Sequence, residues 1–416
     1  MDKFVVNGGK KICGSVKIDK AKNALLPIIS ATIAVEGDCR LRSFPEYSDT
    51  RVMLQIIKSL GGRYTEQDGD VIINTDALKT GVFPDALFKE IRASVFMLGA
   101  VLARTGRVEA VLPGGCNIGL RPIDIHVDGL SKMGARFDFC GERFSATCKR
   151  LRGAKICLPF PSVGATENLI ISATQAEGET LISNAAPEPE VSNLVAFLRA
   201  CGAEIYGEGT STVRIVGGRR LRGKEFLPMS DRIEVGTYLI ATVLLGGELE
   251  IKGGFLQNIF AIINKIGDSA CKIYSFNDKI YISARGRPKA LARTVADIYP
   301  AFPTDLQPQL VAMLSVADGV SEVYDRVFPQ RFGYALEMNK LGADIRFDGK
   351  CATVRGVKSL VGSNVCAEDL RGGAGLLLAC LKAEGVSVLN GAHHLDRGYS
   401  RIENKLNSLG LSVKRE

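Results

Sequence analysis

Two kinds of helix-like segment alternate along the chain with short strand-like runs. The first kind is strongly apolar, as in residues 24–35, which is typical of a buried helix. The second kind is amphipathic and ends at an apolar residue followed by glycine. It is followed by runs in which polar and apolar residues alternate, as in residues 136–139 and 144–147. The pattern predicts an α/β protein in which helices alternate with paired strands.

The glycines after these helices form two series with a nearly constant period. One glycine at the end of a helix is common, because glycine adopts the left-handed conformation at no steric cost. Within each series the glycines lie roughly 70 residues apart, a period longer than that of solenoid repeats. The amphipathic helices are followed by Gly61, Gly134, Gly202, Gly267, Gly342 and Gly410, and the apolar helices by Gly37, Gly106, Gly178, Gly247, Gly319 and Gly385. Six small α/β subdomains are therefore predicted, and two groups of three would form two lobes with a ligand cleft between them.

The length and the charge of the chain limit the classes of protein to which it can belong. Its 416 residues exceed what one hydrophobic core usually serves, so two or more lobes are expected. The 53 basic and 45 acidic residues leave a net charge of +8, spread along the chain without a run of like charge. This surplus suits a small anionic substrate. Without a basic and aromatic patch it does not predict nucleic-acid binding, and the sequence identifies no partner protein.

The cysteines and the apolar segments indicate the compartment. The 11 cysteines include no Cys-x-x-Cys pair, so no zinc or iron–sulfur site is predicted, and a disulfide scaffold is not expected at this length. The first residues lack the apolar core of a secretion signal, and the most apolar helix is too short to cross a membrane. We therefore expect a reduced, soluble, cytoplasmic protein without a metal or cofactor.

The most unusual stretch is the loop at residues 112–124, in which three glycines and two prolines surround Cys116. Arg121 and Asp124 follow closely. Backbone amides freed by glycine can bind an anion, and an arginine can bind a carboxylate or a phosphate with two hydrogen bonds. A thiol beside arginine ionises readily and could act as a nucleophile or an acid. The residue types alone are equally compatible with a glycine-rich turn that carries an incidental cysteine.

Lys22 and Asn23 open the apolar helix. Asparagine favours the start of a helix, whereas a lysine there opposes the helix dipole and suggests that an anion lies nearby. A solvated lysine ahead of a helix is the commoner case. Asp305, in a proline-bracketed loop, could be a general base, but its spacing favours an N-cap of the following helix.

Three further acid–base pairs precede helix-like stretches, and each is most often a cap with a solvated arginine. They are Asp231-Arg232, Asp369 with Arg371, and Asp396-Arg397. Arginines gathered at helix starts would instead form a strong anion pocket, because helix N-termini already attract negative charge. His126, His393 and His394 show no metal-ligand spacing, and we expect them to be structural.

Taken together, seven segments resemble the enolpyruvyl transferase family, and within it the UDP-N-acetylglucosamine 1-carboxyvinyltransferases. The resemblance runs from end to end and rests on residues 21–24, 91–94, 112–126, 162–168, 231–234, 302–305 and 396–399. It implies a two-lobed inside-out α/β barrel of six subdomains, three per lobe. The lobes would comprise residues 22–229, which carry the Cys116 loop, and residues 1–21 with 230–416. The active site would lie in the cleft between them.

The resemblance implies transfer of the enolpyruvyl group of phosphoenolpyruvate to the 3′-hydroxyl of UDP-N-acetylglucosamine, with release of phosphate. This addition–elimination through a tetrahedral intermediate is the first committed step of peptidoglycan precursor synthesis. By similarity Asp305 takes the hydroxyl proton, Cys116 acts as the acid and is the fosfomycin target, and Lys22 and Arg397 hold phosphoenolpyruvate and its departing phosphate. The substrate-binding positions would be Asn23, Arg92, Arg121, Pro122, Ile123, Asp124, Ser162, Val163, Gly164, Val327, Arg331, Asp369 and Arg371.

Two alternatives remain beside this hypothesis. One is 5-enolpyruvylshikimate-3-phosphate synthase, which has no Pro-Gly-Gly-Cys loop. The other is a non-catalytic or altered-substrate paralogue that binds a UDP-sugar. It is suggested by departures from the family pattern at Asp19-Lys20, Phe160-Pro161, Pro187 and Pro329-Gln330, which leave the matched catalytic residues intact.

Overall fold

The computed structural model describes residues 2–114, 123–267, 269 and 271–416. The loop residues Cys116, Arg121 and Pro122 lie outside this part of the chain. The described residues form two compact units. The terminal unit consists of residues 2–19 and 230–416, and the inner unit of residues 20–114 and 123–229. Each unit has its own hydrophobic core.

The described residues form thirteen α-helices, most of them short. They are α1 (Lys22–Ala31), α2 (Ser48–Ser59), α3 (Asp85–Glu90), α4 (Leu98–Thr105), α5 (Asp124–Lys132), α6 (Val163–Thr174), α7 (Pro189–Ala200), α8 (Arg232–Leu245), α9 (Phe260–Ile266), α10 (Gln307–Leu314), α11 (Tyr334–Lys340), α12 (Leu370–Lys382) and α13 (Ile402–Ser408). Five 3₁₀ segments accompany them, at Thr32–Ala34, Arg92–Met97, Leu256–Asn258, Thr304–Leu306 and Ala392–Arg397. No helix in the described residues is long and apolar enough to span a membrane.

The strands are equally short and number 23 in the described part of the chain. They are β1 (Lys3–Asn7), β2 (Ile12–Lys17), β3 (Cys39–Leu41), β4 (Arg63–Gln67), β5 (Asp70–Asn74), β6 (Arg107–Val111), β7 (Arg136–Cys140), β8 (Arg143–Thr147), β9 (Lys155–Cys157), β10 (Glu179–Ser183), β11 (Glu204–Tyr206), β12 (Thr212–Val216), β13 (Glu225–Phe226), β14 (Gly247–Lys252), β15 (Cys271–Phe276), β16 (Lys279–Ala284), β17 (Arg293–Ala296), β18 (Val320–Asp325), β19 (Asp344–Phe347), β20 (Cys351–Arg355), β21 (Asn364–Cys366), β22 (Val386–Asn390) and β23 (Val413–Arg415). They form six sheets, three in each unit.

One sheet plan recurs through the two units. In the order β2-β14-β16-β15, strand β14 follows the buried helix α8, runs parallel to β2 and pairs antiparallel with β16. The orders β17-β18-β20-β19, β9-β10-β12-β11 and β13-β3-β5-β4 repeat this plan, and β6-β8-β7 is a three-stranded version. The sequence prediction of six α/β subdomains, three per lobe, is confirmed.

The sheet at the chain ends follows the plan with an exchange of strands. Its order is β21-β22-β1-β23, so the N-terminal strand β1 lies between two C-terminal strands. Phe4 is paired with Leu389 on one side and with Arg415 on the other, both antiparallel. The first residues of the chain therefore belong to the same unit as the last.

The two glycine series explain how the chain turns at the end of each helix and enters the following strand. All six glycines after the apolar helices have positive φ angles, from 72° at Gly106 to 124° at Gly247. Five of the six after the amphipathic helices do as well. Gly267 is the exception, because with a φ of −59° it continues the right-handed conformation at the end of α9.

The first apolar helix differs from its prediction. It begins at Lys22 rather than residue 24 and ends at Ala31, where a 3₁₀ turn over Thr32–Ala34 replaces its last part. Its N-cap is Ala21, which makes no side-chain bond to the helix, so Asn23 lies within the first turn and is not the cap. Pro27 lies inside the helix and supplies no backbone N–H there.

A buried ion cluster joins the end of the N-terminal segment to two helices of the terminal unit. The Lys405 ammonium of α13 lies 2.7 Å from Asp19 Oδ2 and 2.6 Å from Oε1 of Glu234, in the first turn of α8. The other Glu234 oxygen accepts the backbone N–H of Asp19 at 2.8 Å. Burial raises the pKa of Glu234 to about 7; the charge of Lys405 opposes this rise and that of Asp19 adds to it.

We expect the ion cluster to make stability depend on pH. The folded protein holds the Glu234 proton more tightly than the unfolded chain, so this contribution to the free energy of unfolding is complete below pH 4.5 and is lost as pH rises through about 7. Between pH 5 and 8, the thermal midpoint of the wild type should therefore fall more than that of Glu234→Gln. The difference should correspond to about 3 kcal/mol in the free energy of unfolding. Asp19→Ser, which removes a charge that raises this pKa, should move the fall to lower pH. Parallel curves for the wild type and Glu234→Gln would contradict this origin.

Candidate functional site

Asp305 lies at the centre of an ion-paired group in the terminal unit. It belongs to the 3₁₀ segment Thr304–Leu306, and helix α10 begins after it without a side-chain cap. Its Oδ1 accepts from Arg331 Nη1 at 2.9 Å, and its Oδ2 accepts from Arg371 Nη2 at 2.9 Å. The N-cap interpretation of Asp305 is therefore wrong, because both carboxylate oxygens face arginines.

The two arginines are buried, although the sequence suggested that Arg371 is solvated. Their side chains are only 6% (Arg331) and 4% (Arg371) exposed. Arg371 lies in the first turn of α12, where Asp369 accepts the backbone N–H groups of Arg371 and Gly372 as the predicted cap. Burial lowers the pKa of Arg371, but the charges of Asp305, Tyr399 and Asp231 together outweigh this effect, and the net pKa is raised. Arg371 is therefore a fixed cation of the site.

Each of the two arginines has one buried nitrogen that makes no hydrogen bond within the described part of the chain. Arg331 Nε and Arg371 Nη1 meet no hydrogen-bond acceptor among the described residues. A buried N–H without a partner costs free energy, and more so when the group is charged. The two arginines therefore keep hydrogen-bonding capacity that Asp305 alone does not satisfy.

A second carboxylate, Asp325, supports the Asp305 segment and was not identified from the sequence. Its Oδ2 accepts the hydroxyl of Thr304 at 2.5 Å, and Thr304 in turn accepts from Arg331 Nη1 at 3.0 Å. Its Oδ1 accepts the backbone N–H groups of Val327 and Phe328. Burial raises the pKa of Asp325 although these hydrogen bonds oppose the change. The only sequence signal for it was an acidic residue at the end of a strand, which is too common to single out.

Behind Arg371, buried polar groups from three elements meet. The guanidinium carbon of Arg371 lies 5.8 Å from the centre of the Tyr399 ring. The Tyr399 hydroxyl is 2.8 Å from Thr237 Oγ1 in α8 and accepts from Gln309 of α10 at 3.2 Å. These bonds fix the ring against which the arginine packs.

Of the other two acid–base pairs, one has its aspartate as the predicted helix cap and the other does not. Asp231 is the N-cap of α8 and accepts the backbone N–H groups of Ile233 and Glu234, as predicted, but Arg232 is buried rather than solvated. Asp396 is not a cap. It lies within the 3₁₀ segment Ala392–Arg397, where Arg415 Nη1 donates to it at 2.9 Å. Arg397 ends this segment and is partly buried.

The histidines have surroundings that suit structural roles. His126 is buried, and its Nδ1 lies 3.1 Å from the side-chain amide of Asn168. The rings of His393 and His394 pack together at 4.2 Å. No cluster of metal-ligating side chains occurs in the part of the chain that the structure describes.

In the inner unit, Lys22 is held close to a carboxylate. Its ammonium lies 3.3 Å from Asp49 Oδ2, and the two side chains are 12% and 4% exposed. Asp49 stands in the first turn of α2. The anion that the position of Lys22 suggested is thus at least partly supplied by the protein itself.

The remaining predicted residues of the inner unit lie at helix starts. Ser162 caps α6 through the backbone N–H of Ala165, and Val163 and Gly164 are the first residues of that helix. A Cβ on Gly164 would lie 2.6 Å from the ring of Phe96, so only glycine fits there. The others are Arg92 at the start of a 3₁₀ segment, the exposed Asp124 at the start of α5, and the buried Ile123 before it.

Comparison with known sequences finds relatives along the whole chain. A family model described as EPSP synthase (3-phosphoshikimate 1-carboxyvinyltransferase) matches residues 6–406. UDP-N-acetylglucosamine 1-carboxyvinyltransferase 2 of Caldanaerobacter subterraneus is 41% identical over 415 residues, and the match covers 100% of both chains. UDP-N-acetylglucosamine 1-carboxyvinyltransferase of Nitratidesulfovibrio vulgaris is 42% identical over 416 residues, again with 100% of both chains covered.

Solved structures show the same fold at lower sequence identity. The enolpyruvyl transferase NikO from Streptomyces tendae superposes with a TM-score of 0.90 at 23% identity, covering 100% of this chain and 98% of that one. EPSP synthase from Acinetobacter baumannii gives a TM-score of 0.75 at 18% identity, with 100% of both chains covered. These similarities confirm the fold class that the sequence predicted.

Proposed function

Because the chain belongs to the enolpyruvyl transferase family, we propose that it transfers the enolpyruvyl group of phosphoenolpyruvate to the 3′-hydroxyl of UDP-N-acetylglucosamine and releases phosphate. The full-length relatives at 41% and 42% identity carry the name of this activity. The same reaction opens peptidoglycan precursor synthesis, on which cell shape and division depend.

The observation that carries the proposal is the Asp305 carboxylate between two buried arginines. Phosphoenolpyruvate brings a carboxylate and a phosphate, and both need cationic partners in a site from which water is excluded. Arg331 and Arg371 each have one buried donor without an acceptor among the described residues. An incoming anion would satisfy these donors.

The same arrangement explains how Asp305 becomes a base. Two guanidinium groups, each 2.9 Å from one of its oxygens, hold the Asp305 carboxylate in place. When a substrate anion shares Arg331 and Arg371, their hold on the carboxylate weakens. Asp305 then takes the 3′-hydroxyl proton as the sugar oxygen attacks C2 of phosphoenolpyruvate. Substrate binding thereby prepares the base.

The remaining proton is assigned to Cys116, which lies outside the described residues. In the addition step the thiol gives its proton to the methylene carbon of phosphoenolpyruvate, which becomes a methyl group. In the elimination step the methyl group gives a proton back to the Cys116 thiolate and the double bond reforms. The C–O bond to phosphate breaks with its electron pair on the phosphate oxygen, and the phosphate takes up the proton that Asp305 had accepted. Lys22, Arg121 and Arg397 hold the phosphate as it leaves.

In this proposal Arg92 adds to the cationic pocket for phosphoenolpyruvate. The nucleotide sugar is bound by Asn23, Pro122, Ile123, Asp124, Ser162, Val163, Gly164, Val327 and Asp369. The compartment is the cytoplasm, and the free cysteines support this. All ten described cysteines are free thiols, four of them exposed, as expected where thiols are kept reduced.

Phosphate release tests the proposed reaction directly. With phosphoenolpyruvate and UDP-N-acetylglucosamine at millimolar concentrations the protein should release phosphate, and with shikimate 3-phosphate as the acceptor it should not. Release with shikimate 3-phosphate alone would assign the chain to the other branch of the family. No release with either acceptor would identify a non-catalytic paralogue.

Asp305→Asn tests the base. Asparagine keeps an oxygen that can accept from an arginine but cannot take the proton, so kcat should fall roughly 100-fold or more. Alanine is a poorer choice, because it would leave two buried arginines without this acceptor. Asp85→Asn is a matched control, since it weakens the exposed pair of Asp85 with Arg143. It should keep kcat within about twofold. A kcat of wild-type size in Asp305→Asn would exclude Asp305 as the base.

Alkylation by fosfomycin tests the thiol. The Cys116 sulfur should open the epoxide, and mass spectrometry should find one added inhibitor molecule on the peptide that contains Cys116, together with loss of turnover. The exposed Cys13, Cys140, Cys157 and Cys366 serve as internal controls and should stay unmodified. A protein that keeps full activity with Cys116 unmodified after prolonged exposure would show that the loop does not place this thiol in the site.

A further inference from the structure

A hydroxyl and a carboxylate lie directly behind the Asp305 pair. The Thr304 hydroxyl donates to Asp325 Oδ2 at 2.5 Å and accepts from Arg331 Nη1 at 3.0 Å. The same Nη1 donates to Asp305 Oδ1 at 2.9 Å. A guanidinium can only donate and an ionised carboxylate can only accept, so these bonds run in one direction, from Arg331 through Thr304 to Asp325.

Asp325 also holds the turn that follows strand β18. Its Oδ1 accepts the backbone N–H groups of Val327 at 2.9 Å and of Phe328 at 2.7 Å. The next residue is Pro329, which has no N–H to offer. One buried carboxylate, 3% exposed, therefore fixes both the turn that carries Val327 and, through Thr304, the segment that carries Asp305.

The two backbone hydrogen bonds that close the turn do not explain the hydrogen bond between Asp325 Oδ2 and the Thr304 hydroxyl. A side chain that caps a turn needs one oxygen, and here Oδ1 takes both backbone donors. Oδ2 is directed instead to Thr304, which lies 21 residues earlier in the chain and immediately precedes Asp305. The bond thus joins the 3₁₀ segment that carries Asp305 to the end of strand β18.

We propose that Thr304 and Asp325 are positioning residues for the acceptor half of the reaction. They direct Arg331 and Asp305 toward the hydroxyl that is deprotonated, and they set the position of Val327 beside the nucleotide sugar. The inference rests on the proposed function, since it takes Asp305 as the base. An error of about 1 Å in such a group can cost roughly 100-fold in rate, so a bond behind the base is enough to affect turnover.

Thr304→Val and Thr304→Ser form the central comparison. Valine keeps the shape of threonine but removes the hydroxyl, which leaves Asp325 Oδ2 without its donor and Arg331 without one acceptor. We expect kcat to fall roughly 10- to 100-fold and KM for UDP-N-acetylglucosamine to rise. Serine restores the hydroxyl and should recover most of the loss. Asp325→Asn removes the charge that accepts the hydroxyl and should behave like valine.

Asp297→Asn is the matched control for Asp325→Asn. Asp297 also accepts a backbone N–H, from Ile298 at 2.9 Å, and pairs with Arg326 at 3.1 Å. Neither of these contacts involves Thr304, Arg331 or Asp305, so this variant should keep wild-type kinetics. A thermal midpoint measured for each variant separates a folding defect from a change in turnover.

A second comparison separates positioning from general structural damage. If Thr304 acts through the base, Thr304→Val should lower kcat little further in an Asp305→Asn background. The inference would be overturned if Thr304→Val lowered kcat by the same factor in the wild-type and Asp305→Asn backgrounds. Wild-type kinetics in Thr304→Val and Asp325→Asn would overturn it as well. If valine prevents folding, Asp325→Asn and Thr304→Ser decide by the same measurements. An inactive wild type would instead contradict the proposed function itself.

Discussion

The burial of two guanidinium groups beside one carboxylate is the constraint around which the terminal unit is arranged. Each charge taken out of water costs several kcal/mol unless partners replace the lost solvent, and breaking such a pair is strongly destabilising. Asp305 provides one partner to each arginine, at 2.9 Å. Two buried donors, Arg331 Nε and Arg371 Nη1, remain without an acceptor among the described residues. In the proposed function these same arginines both hold Asp305 and bind the substrate anion.

Much of the fold could be predicted from the sequence because its determinants are local. A left-handed glycine after a buried helix can be predicted from its neighbouring residues. Six such glycines at a nearly constant spacing made the prediction of six repeated units stronger. The exception, Gly267, has the same sequence signal but remains right-handed at the end of α9, so a glycine permits the turn without requiring it. The closing sheet was harder to foresee, because β1 pairs with strands from the opposite end of the chain.

The site was less predictable because an aspartate ahead of a helix has the same sequence pattern whether it caps the helix or pairs with an arginine. Asp231 and Asp369 are caps, whereas Asp305 binds Arg331 and Arg371. The difference lies in partners that are distant in sequence. Of the two arginines, Arg371 was expected to be solvated when considered alone, and Arg331 was identified only through the family resemblance. The family resemblance, and not residue spacing, singled out Asp305.

The departures from the family pattern acquire a physical meaning from their contacts. Asp19, one of the departures, shares the Lys405 ammonium with Glu234. Pro329 lacks a backbone donor, yet the turn before it is already held by two N–H bonds to Asp325. Both changes thus come with hydrogen bonds or ion pairs that secure the segments they lie in. These contacts secure the fold around the departures and leave the matched catalytic residues unchanged, so the departures are compatible with an active enzyme.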